Sequence, residues 1–165
     1  MRPSYFTEDV QEFLKLLAAR EVRYLIVGGE AVIYHGYARL TGDVDFFFEP
    51  FKENAVRLYE ALKEFWAGDI PGINALEELM EIGLILQFGV PPNRIDLMNQ
   101  ISGVTFHEAW KNRIRKTIKR AGGEVPIYFI GLDELIRNKK AIGRPKDMED
   151  LKYLTEQKNR RQGKR

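Results

Sequence analysis

Apolar residues recur along the chain at two spacings, and these predict helices and strands in alternation. Stretches in which they return every three or four residues are typical of amphipathic helices, and short runs rich in β-branched and aromatic residues are typical of strands. Thr7 is placed to cap the first helix. The predicted helices cover about 7–20, 28–37, 53–66, 75–81, 105–112, 133–142 and 146–157, and the predicted strands cover about 23–27, 43–49, 84–88, 94–98, 114–120 and 125–130.

The order of these elements, α-β-α-β-α-β-β with a helical end, predicts an α/β (α+β) fold. We expect a mixed β-sheet with helices on at least one face, in which a turn at Pro91-Pro92-Asn93 joins two strands as a hairpin. A length of 165 residues suits one domain. We therefore predict a single domain over 1–157, with a core over about 10–130, two C-terminal helices over 131–157, and a basic, flexible tail over 158–165.

The composition excludes several kinds of site. The chain has no cysteine and only two histidines, which excludes disulfides and a thiolate zinc site and disfavours a metal site built from histidine. A bound metal would therefore have oxygen ligands, which favours Mg²⁺ or Mn²⁺. No apolar run approaches the length of about 18 residues that suggests a membrane span, and the N-terminal segment lacks the apolar stretch of a signal peptide. The expected location is the cytoplasm.

Charge is distributed unevenly, although the net charge is only +2. Residues 1–50 have a balance of −3 and residues 51–110 a balance of −5, whereas residues 111–165 hold 17 basic and 7 acidic side chains. This asymmetry predicts that the C-terminal third meets polyanions such as nucleotide phosphates or RNA. A solvated surface with a basic tail would explain the same charges, and the sequence leaves both interpretations open.

Three acidic residues lie on predicted strands. Asp43 and Asp45 share one face of their strand because side chains alternate across a strand, and Asp96 lies on a later strand between two apolar residues. Like charges held side by side repel each other, and a cation between them removes the repulsion. The three acids are therefore candidates for holding one or two metal ions, although a lone acid pair is more often solvated.

A pair of glycines lies upstream of the acids, between a strand and a helix. Gly28 and Gly29 let the backbone come close to a ligand, and the N–H groups at the start of the next helix suit a phosphate. A tight strand-to-helix turn without a ligand is the alternative.

Together these residues form an ordered pattern: an apolar strand, Gly28-Gly29, thirteen residues, the acid pair Asp43 and Asp45, and later Asp96. The pattern resembles the signature of the nucleotidyltransferase superfamily related to DNA polymerase beta, over roughly residues 10–100. The stretches HGYARLTGDVDF and LIRNKKAIGRPKDMEDLKYL resemble those of the AbiEii-like and minimal nucleotidyltransferases. Many members have serine where this chain has Gly29, so a hydroxyl contact to phosphate is absent while the backbone contact remains.

The resemblance implies a nucleotidyltransferase fold and the transfer of a nucleotide from an NTP to an acceptor. Asp43, Asp45 and Asp96 would be catalytic residues and ligands of Mg²⁺ or Mn²⁺, with Asp96 on a second metal or acting as the base. The candidate acceptors are RNA such as a tRNA 3′ end, a protein and a small molecule, and a partner protein of a toxin–antitoxin pair is a further candidate. The nucleotide-binding residues implied are Gly28, Gly29, Arg39, Thr41, Lys139 and Arg144.

Alternatives remain for several of these residues. Lys139 and Arg144 have the alternative role of pairing with Asp147 and Asp150, and Arg39 and Thr41 that of surface-loop residues without a ligand. His35 is expected to be packed inside or to support the site from behind it. Two other functions are also open: a non-catalytic module that binds RNA or a partner, and a metal-dependent phosphodiesterase or nuclease. The complete set of three acids disfavours the first, and the lack of a histidine placed to activate water disfavours the second.

Overall fold

The computed structural model describes residues 6–164, which form six α-helices, six β-strands and one 3-10 helix. Most of the predicted elements are present within a few residues of their predicted bounds. The helices are α1 (Glu8–Ala19), α2 (Gly28–Tyr34), α3 (Lys52–Phe65), α4 (Phe106–Lys111), α5 (Leu132–Ile142) and α6 (Pro145–Gly163), with the 3-10 helix at Leu76–Met80. The strands are β1 (Tyr24–Val27), β2 (Asp43–Phe48), β3 (Ile85–Phe88), β4 (Arg94–Met98), β5 (Ile114–Arg120) and β6 (Gly123–Phe129).

The six strands form one mixed sheet in the order β3-β4-β2-β1-β6-β5. β2 pairs with β4 and β1 with β6 in parallel, and the other three pairs are antiparallel. The predicted hairpin is present as the antiparallel pair β3 and β4. This arrangement confirms the predicted α/β class with a mixed sheet, and it is compatible with a nucleotidyltransferase fold.

The centre of the sheet is buried, and this fixes the strands that carry the acids. All four residues of β1 are buried, and in β2 the phenylalanines 46–48 are buried while the two aspartates are only partly so. The ring of Phe13 on α1 makes edge contacts with Phe46 and Phe65, at centroid distances of 5.3 and 5.2 Å. Burial of these rings holds β2 in register, because a slip by one residue would turn the aspartates into the core.

Two predicted helix ends are wrong. The C-terminal helix continues to Gly163, beyond the predicted end at 157, and in this extension Lys158 forms an ion pair with Asp133 at 3.1 Å. The flexibility of the tail over 158–165 stays a prediction. Helix α2 ends at Tyr34 and not near residue 37, because the chain turns at Gly36 with a φ of +114°.

No helix in the described part of the chain is long and apolar enough to cross a bilayer.

Candidate active site

The turn between β1 and α2 brings the backbone against two side chains of the following segment. Gly28 has a φ of +62°, and a Cβ atom there would collide with Oδ2 of Asp45. A Cβ atom at Gly29 would lie 2.7 Å from Oγ1 of Thr41. Glycine is therefore needed at both positions, because the side chains of Asp45 and Thr41 come too close for a Cβ atom. Gly28 is needed also because its backbone is in the left-handed region.

The sheet register brings the three acids together. Antiparallel pairing sets Val27 opposite Asp45, and parallel pairing of β2 with β4 sets Asp45 beside Asp96. Carboxylate oxygens of Asp43, Asp45 and Asp96 lie within 4.8 Å of one another. Asp96 is buried, and the other two are partly buried. The convergence that strand alternation predicted is therefore present.

Arg94 lies inside this acidic cluster, beside Asp43 in the strand register. Its Nη2 donates to Oδ2 of Asp43 at 2.6 Å, and its Nε donates to Oδ1 of Asp96 at 3.1 Å. The guanidinium thus neutralises part of the charge that a metal would otherwise neutralise. Sequence reasoning gave Arg94 no role, although its position two residues before Asp96 on one strand was a usable signal.

Asp45 carries the charge that Arg94 leaves uncompensated. Burial, together with the nearby charges of Asp43 and Asp96, raises the pKa of Asp45 to about 7, and the charge of Lys139 works in the opposite direction. A carboxyl group whose pKa is raised by burial and by neighbouring negative charge gains most from an added cation.

All nine predicted site residues line one cleft with a volume of about 540 Å³. The floor of the cleft is the acid cluster and the glycine turn, and basic side chains from three segments surround it. Other lining residues are amides, including Gln87 and Asn138, and apolar side chains, including Met98 and Ile142. The residues predicted from the sequence are Gly28, Gly29, Arg39, Thr41, Asp43, Asp45, Asp96, Lys139 and Arg144, and the structure adds Arg94 and Lys146.

Two buried aspartates on α6, Asp147 and Asp150, bind three basic side chains of the cleft wall. Asp150 accepts two hydrogen bonds from Arg39, both of 2.9 Å. Lys139 contacts Asp147 and Asp150, each at 3.0 Å. Arg144 donates to Asp147 at 2.7 Å. The alternative role of Lys139 and Arg144, pairing with these aspartates, is therefore present in the structure, and it is combined with a place in the cleft wall.

The environment of Asp147 keeps it ionised. Burial alone would raise the pKa of this fully buried carboxyl, but hydrogen bonds from Arg144 and Lys139 outweigh that effect and lower the pKa below its usual value. Asp147 and Asp150 do not line the cleft themselves. They act on it only through the basic residues that they bind.

Comparison with known families supports the chemistry that this cleft suggests. A family model described as "Nucleotidyltransferase of unknown function (DUF6036)" matches residues 7–156. The chain belongs to this nucleotidyltransferase family. The match spans the glycine turn, the three acids and the aspartates of α6, and it bears out the superfamily that the sequence resembled. Closeness to the AbiEii-like proteins stays a prediction, and no curated protein matches the chain.

The acid cluster of this nucleotidyltransferase has the ligand chemistry of a magnesium or manganese site. Three carboxylates offer oxygen atoms, which are the ligands that these hard cations prefer. The raised pKa of Asp45 indicates that the existing neutralisation by Arg94 is incomplete. The residues present therefore fit a divalent cation.

The two histidines are outside this site. His35 is buried, its Nε2 donates to the carbonyl of Ile130 at 2.8 Å, and burial lowers its pKa. The positive charge of Arg161, whose Nη2 lies 3.4 Å from Nδ1 of His35, lowers the pKa further. The prediction of a packed histidine is confirmed, and His107 is exposed.

Proposed function

We propose that this protein is a magnesium-dependent nucleotidyltransferase that moves a nucleoside monophosphate from an NTP to an acceptor hydroxyl. The observation that carries the proposal is the convergence of three carboxylates beside a glycine turn, within a cleft walled by basic residues. A cleft that has metal-binding acidic residues at its base and basic residues in its walls suits phosphoryl transfer, because catalysis of this reaction depends mainly on positioning and charge neutralisation.

Asp43, Asp45 and Asp96 would hold Mg²⁺, or Mn²⁺ in its place. The bound ion would neutralise charge on the triphosphate and on the attacking oxygen. Arg94 donates hydrogen bonds to Oδ2 of Asp43 and to both oxygens of Asp96, so it would compete with a bound ion for these oxygens. The glycine turn would let the triphosphate approach the backbone next to Asp45.

The transfer step uses residues of the cleft in distinct roles. A carboxylate oxygen of Asp96 accepts the proton of the acceptor hydroxyl, whose oxygen attacks the α-phosphorus. The new oxygen–phosphorus bond forms as the bond to the bridging oxygen breaks, and pyrophosphate leaves with that electron pair. Lys139, Arg144 and Arg39 balance the charge of the phosphates.

The class of acceptor is proposed from the distribution of basic residues and from the resemblance of two sequence stretches. RNA such as a tRNA 3′ end is supported by the excess of basic residues after position 110, several of which are exposed on the edge strand β5. Protein and small-molecule acceptors, and a partner of the toxin–antitoxin kind, are supported by the resemblance of the Arg39–Asp45 and Lys139–Asp150 stretches. We also propose that the protein is cytoplasmic.

The test incubates the protein with each labelled NTP, Mg²⁺, total tRNA and cell lysate, and measures pyrophosphate release and label transfer. Asp45→Asn should abolish both, whereas Asp69→Asn, which changes an exposed aspartate in a loop, should alter neither. Label transfer that persists in Asp45→Asn would contradict the assignment of the acid cluster. Monophosphate release would instead indicate a phosphohydrolase, and NTP binding without turnover would indicate a binding module.

A further inference from the structure

We propose that Asp150, which does not line the cleft, positions Arg39 and Lys139 side by side in the cleft wall to bind the triphosphate. The inference rests on the proposed function and adds a positioning residue to it. Asp150 is 1% exposed and lies on α6, more than one hundred residues from Arg39 in the sequence.

The contact with Arg39 fixes a loop that carries no secondary structure. Nε and Nη2 of Arg39 bond the two oxygens of Asp150, which is the two-bonded geometry that holds a guanidinium in one plane. Nη1 is left to face the glycine turn: it lies 3.4 Å from the place of a Cβ atom at Gly29 and donates to the carbonyl of Leu40 at 3.2 Å. Asp150 thereby aims the remaining N–H groups of Arg39 at the turn.

The contact with Lys139 holds a second cation in the cleft wall. Nζ of Lys139 donates a hydrogen bond to Oδ1 of Asp147 and forms an ion pair with Oδ2 of Asp150, each at 3.0 Å. The side chain is 4% exposed yet lines the cleft, so its positive charge lies next to a group bound there.

The negative charge of Asp150 is required for both contacts at once. Oδ2 of Asp150 accepts a hydrogen bond from Nη2 of Arg39 and forms an ion pair with Nζ of Lys139 at 3.0 Å, so one oxygen contacts two cations that would otherwise repel each other. An asparagine keeps the shape but offers one acceptor oxygen and an NH₂ group that points its hydrogens at a cation. Loss of the charge should therefore release at least one of the two basic side chains.

The test compares the affinity for an NTP with that for its NMP, because Arg39 and Lys139 would contact mainly the β- and γ-phosphates, which the NMP lacks. Calorimetric titrations with each NTP and its NMP, in Mg²⁺, are made on the wild type, Asp150→Asn and Glu149→Gln. Glu149 precedes Asp150, is exposed, and within residues 6–164 its side chain accepts one hydrogen bond, from the hydroxyl of Tyr37 at 3.1 Å. We expect Asp150→Asn to weaken NTP binding about tenfold or more and to leave NMP binding within about twofold, and Glu149→Gln to change neither.

Two further variants keep the proposal testable whether or not Asp150→Asn folds. Arg39→Lys keeps the charge but cannot form the two-bonded contact, and it should also weaken NTP binding selectively. In a background of Arg39→Ala with Lys139→Ala, the change Asp150→Asn should have no further effect on NTP affinity.

Several results would overturn the proposal. Equal losses of NTP and NMP affinity in Asp150→Asn would show a general structural role, and unchanged NTP affinity in that variant or in Arg39→Lys would show that no positioning occurs. A wild-type protein that binds no NTP in Mg²⁺ would overturn the proposed function, and this inference with it. A wild type that binds NTP beside an unaffected Asp150→Asn variant would overturn this inference alone.

Discussion

Replacing Gly28 with alanine tests whether the glycine turn fixes the acid cluster. The backbone at Gly28 has a φ of +62°, a region that costs an alanine about 1–2 kcal/mol. The added Cβ would collide with Oδ2 of Asp45 and would lie only 3.0 Å from its Cγ atom. Because β2 is held by buried phenylalanines, the carboxylate must move and not the strand.

Movement of this carboxylate should be costly for function. The three acids now offer oxygens within 4.8 Å of one another, and a displacement of about 1 Å in a reacting group can lower a rate by about a hundredfold. We expect Gly28→Ala to lose about 1–3 kcal/mol of unfolding free energy, to bind Mn²⁺ at least about tenfold more weakly, and to lose nucleotide transfer. Urea unfolding and Mn²⁺ titration measure the first two effects.

Gly72→Ala is the matched control. Gly72 also has a positive φ, +78°, but a Cβ atom there would meet nothing within 4 Å. This variant should lose a similar amount of stability from backbone strain and keep wild-type Mn²⁺ affinity and transfer. If Gly28→Ala binds Mn²⁺ as the wild type does, the close approach of the turn to Asp45 has no role in forming the site, and this reasoning is refuted.

Three other substitutions test the charges around the cleft. Arg94→Gln removes the cation that donates hydrogen bonds to Asp43 and Asp96. Without added metal the variant should have a lower Tm than the wild type, and Mn²⁺ should raise its Tm by more than it raises that of the wild type. A smaller rise would contradict this. Asp147→Asn should lose about 2–4 kcal/mol of unfolding free energy at pH 7, because it leaves buried Lys139 with less compensation. Because the folded protein lowers the pKa of Asp147, its stabilising effect is present above the unfolded pKa of about 3.9 and is lost as pH falls through the lower folded value. Urea unfolding should therefore show that the difference in unfolding free energy between wild type and Asp147→Asn, the stability gap, closes below about pH 4. A gap that stays constant down to pH 3 would count against this assignment. Lys146→Ala should weaken NTP binding severalfold without changing Tm, since Lys146 is exposed, lines the cleft and forms no ion pair within residues 6–164; unchanged NTP affinity would remove it from the site.

The sequence predicted those parts of the fold and site that depend on local spacing. Alternation along β2 set Asp43 and Asp45 on one face, and the apolar neighbours of Asp96 indicated the orientation of its carboxylate. Gly28-Gly29 marked the strand-to-helix turn because glycine alone tolerates both the backbone and the close approach found there.

The remaining features depend on contacts between distant residues. The strand order and the register that sets Asp45 beside Asp96 follow from packing of the whole sheet. The pairing of Arg39 with Asp150 leaves no local pattern in either segment. The length of α6 was underestimated for the same reason, because its last turns are held by contacts with Asp133 and His35.

The central claim is that three carboxylates beside the glycine turn hold the divalent cation on which the triphosphate binds. Anomalous diffraction from crystals grown with Mn²⁺ and a non-hydrolysable NTP analogue tests it most directly. We predict manganese bound by oxygens of Asp43, Asp45 and Asp96, with the phosphates against Gly28 and Gly29 and with Arg94 withdrawn from at least one carboxylate. Manganese and triphosphate bound elsewhere, with Arg94 still bridging Asp43 and Asp96, would contradict the claim.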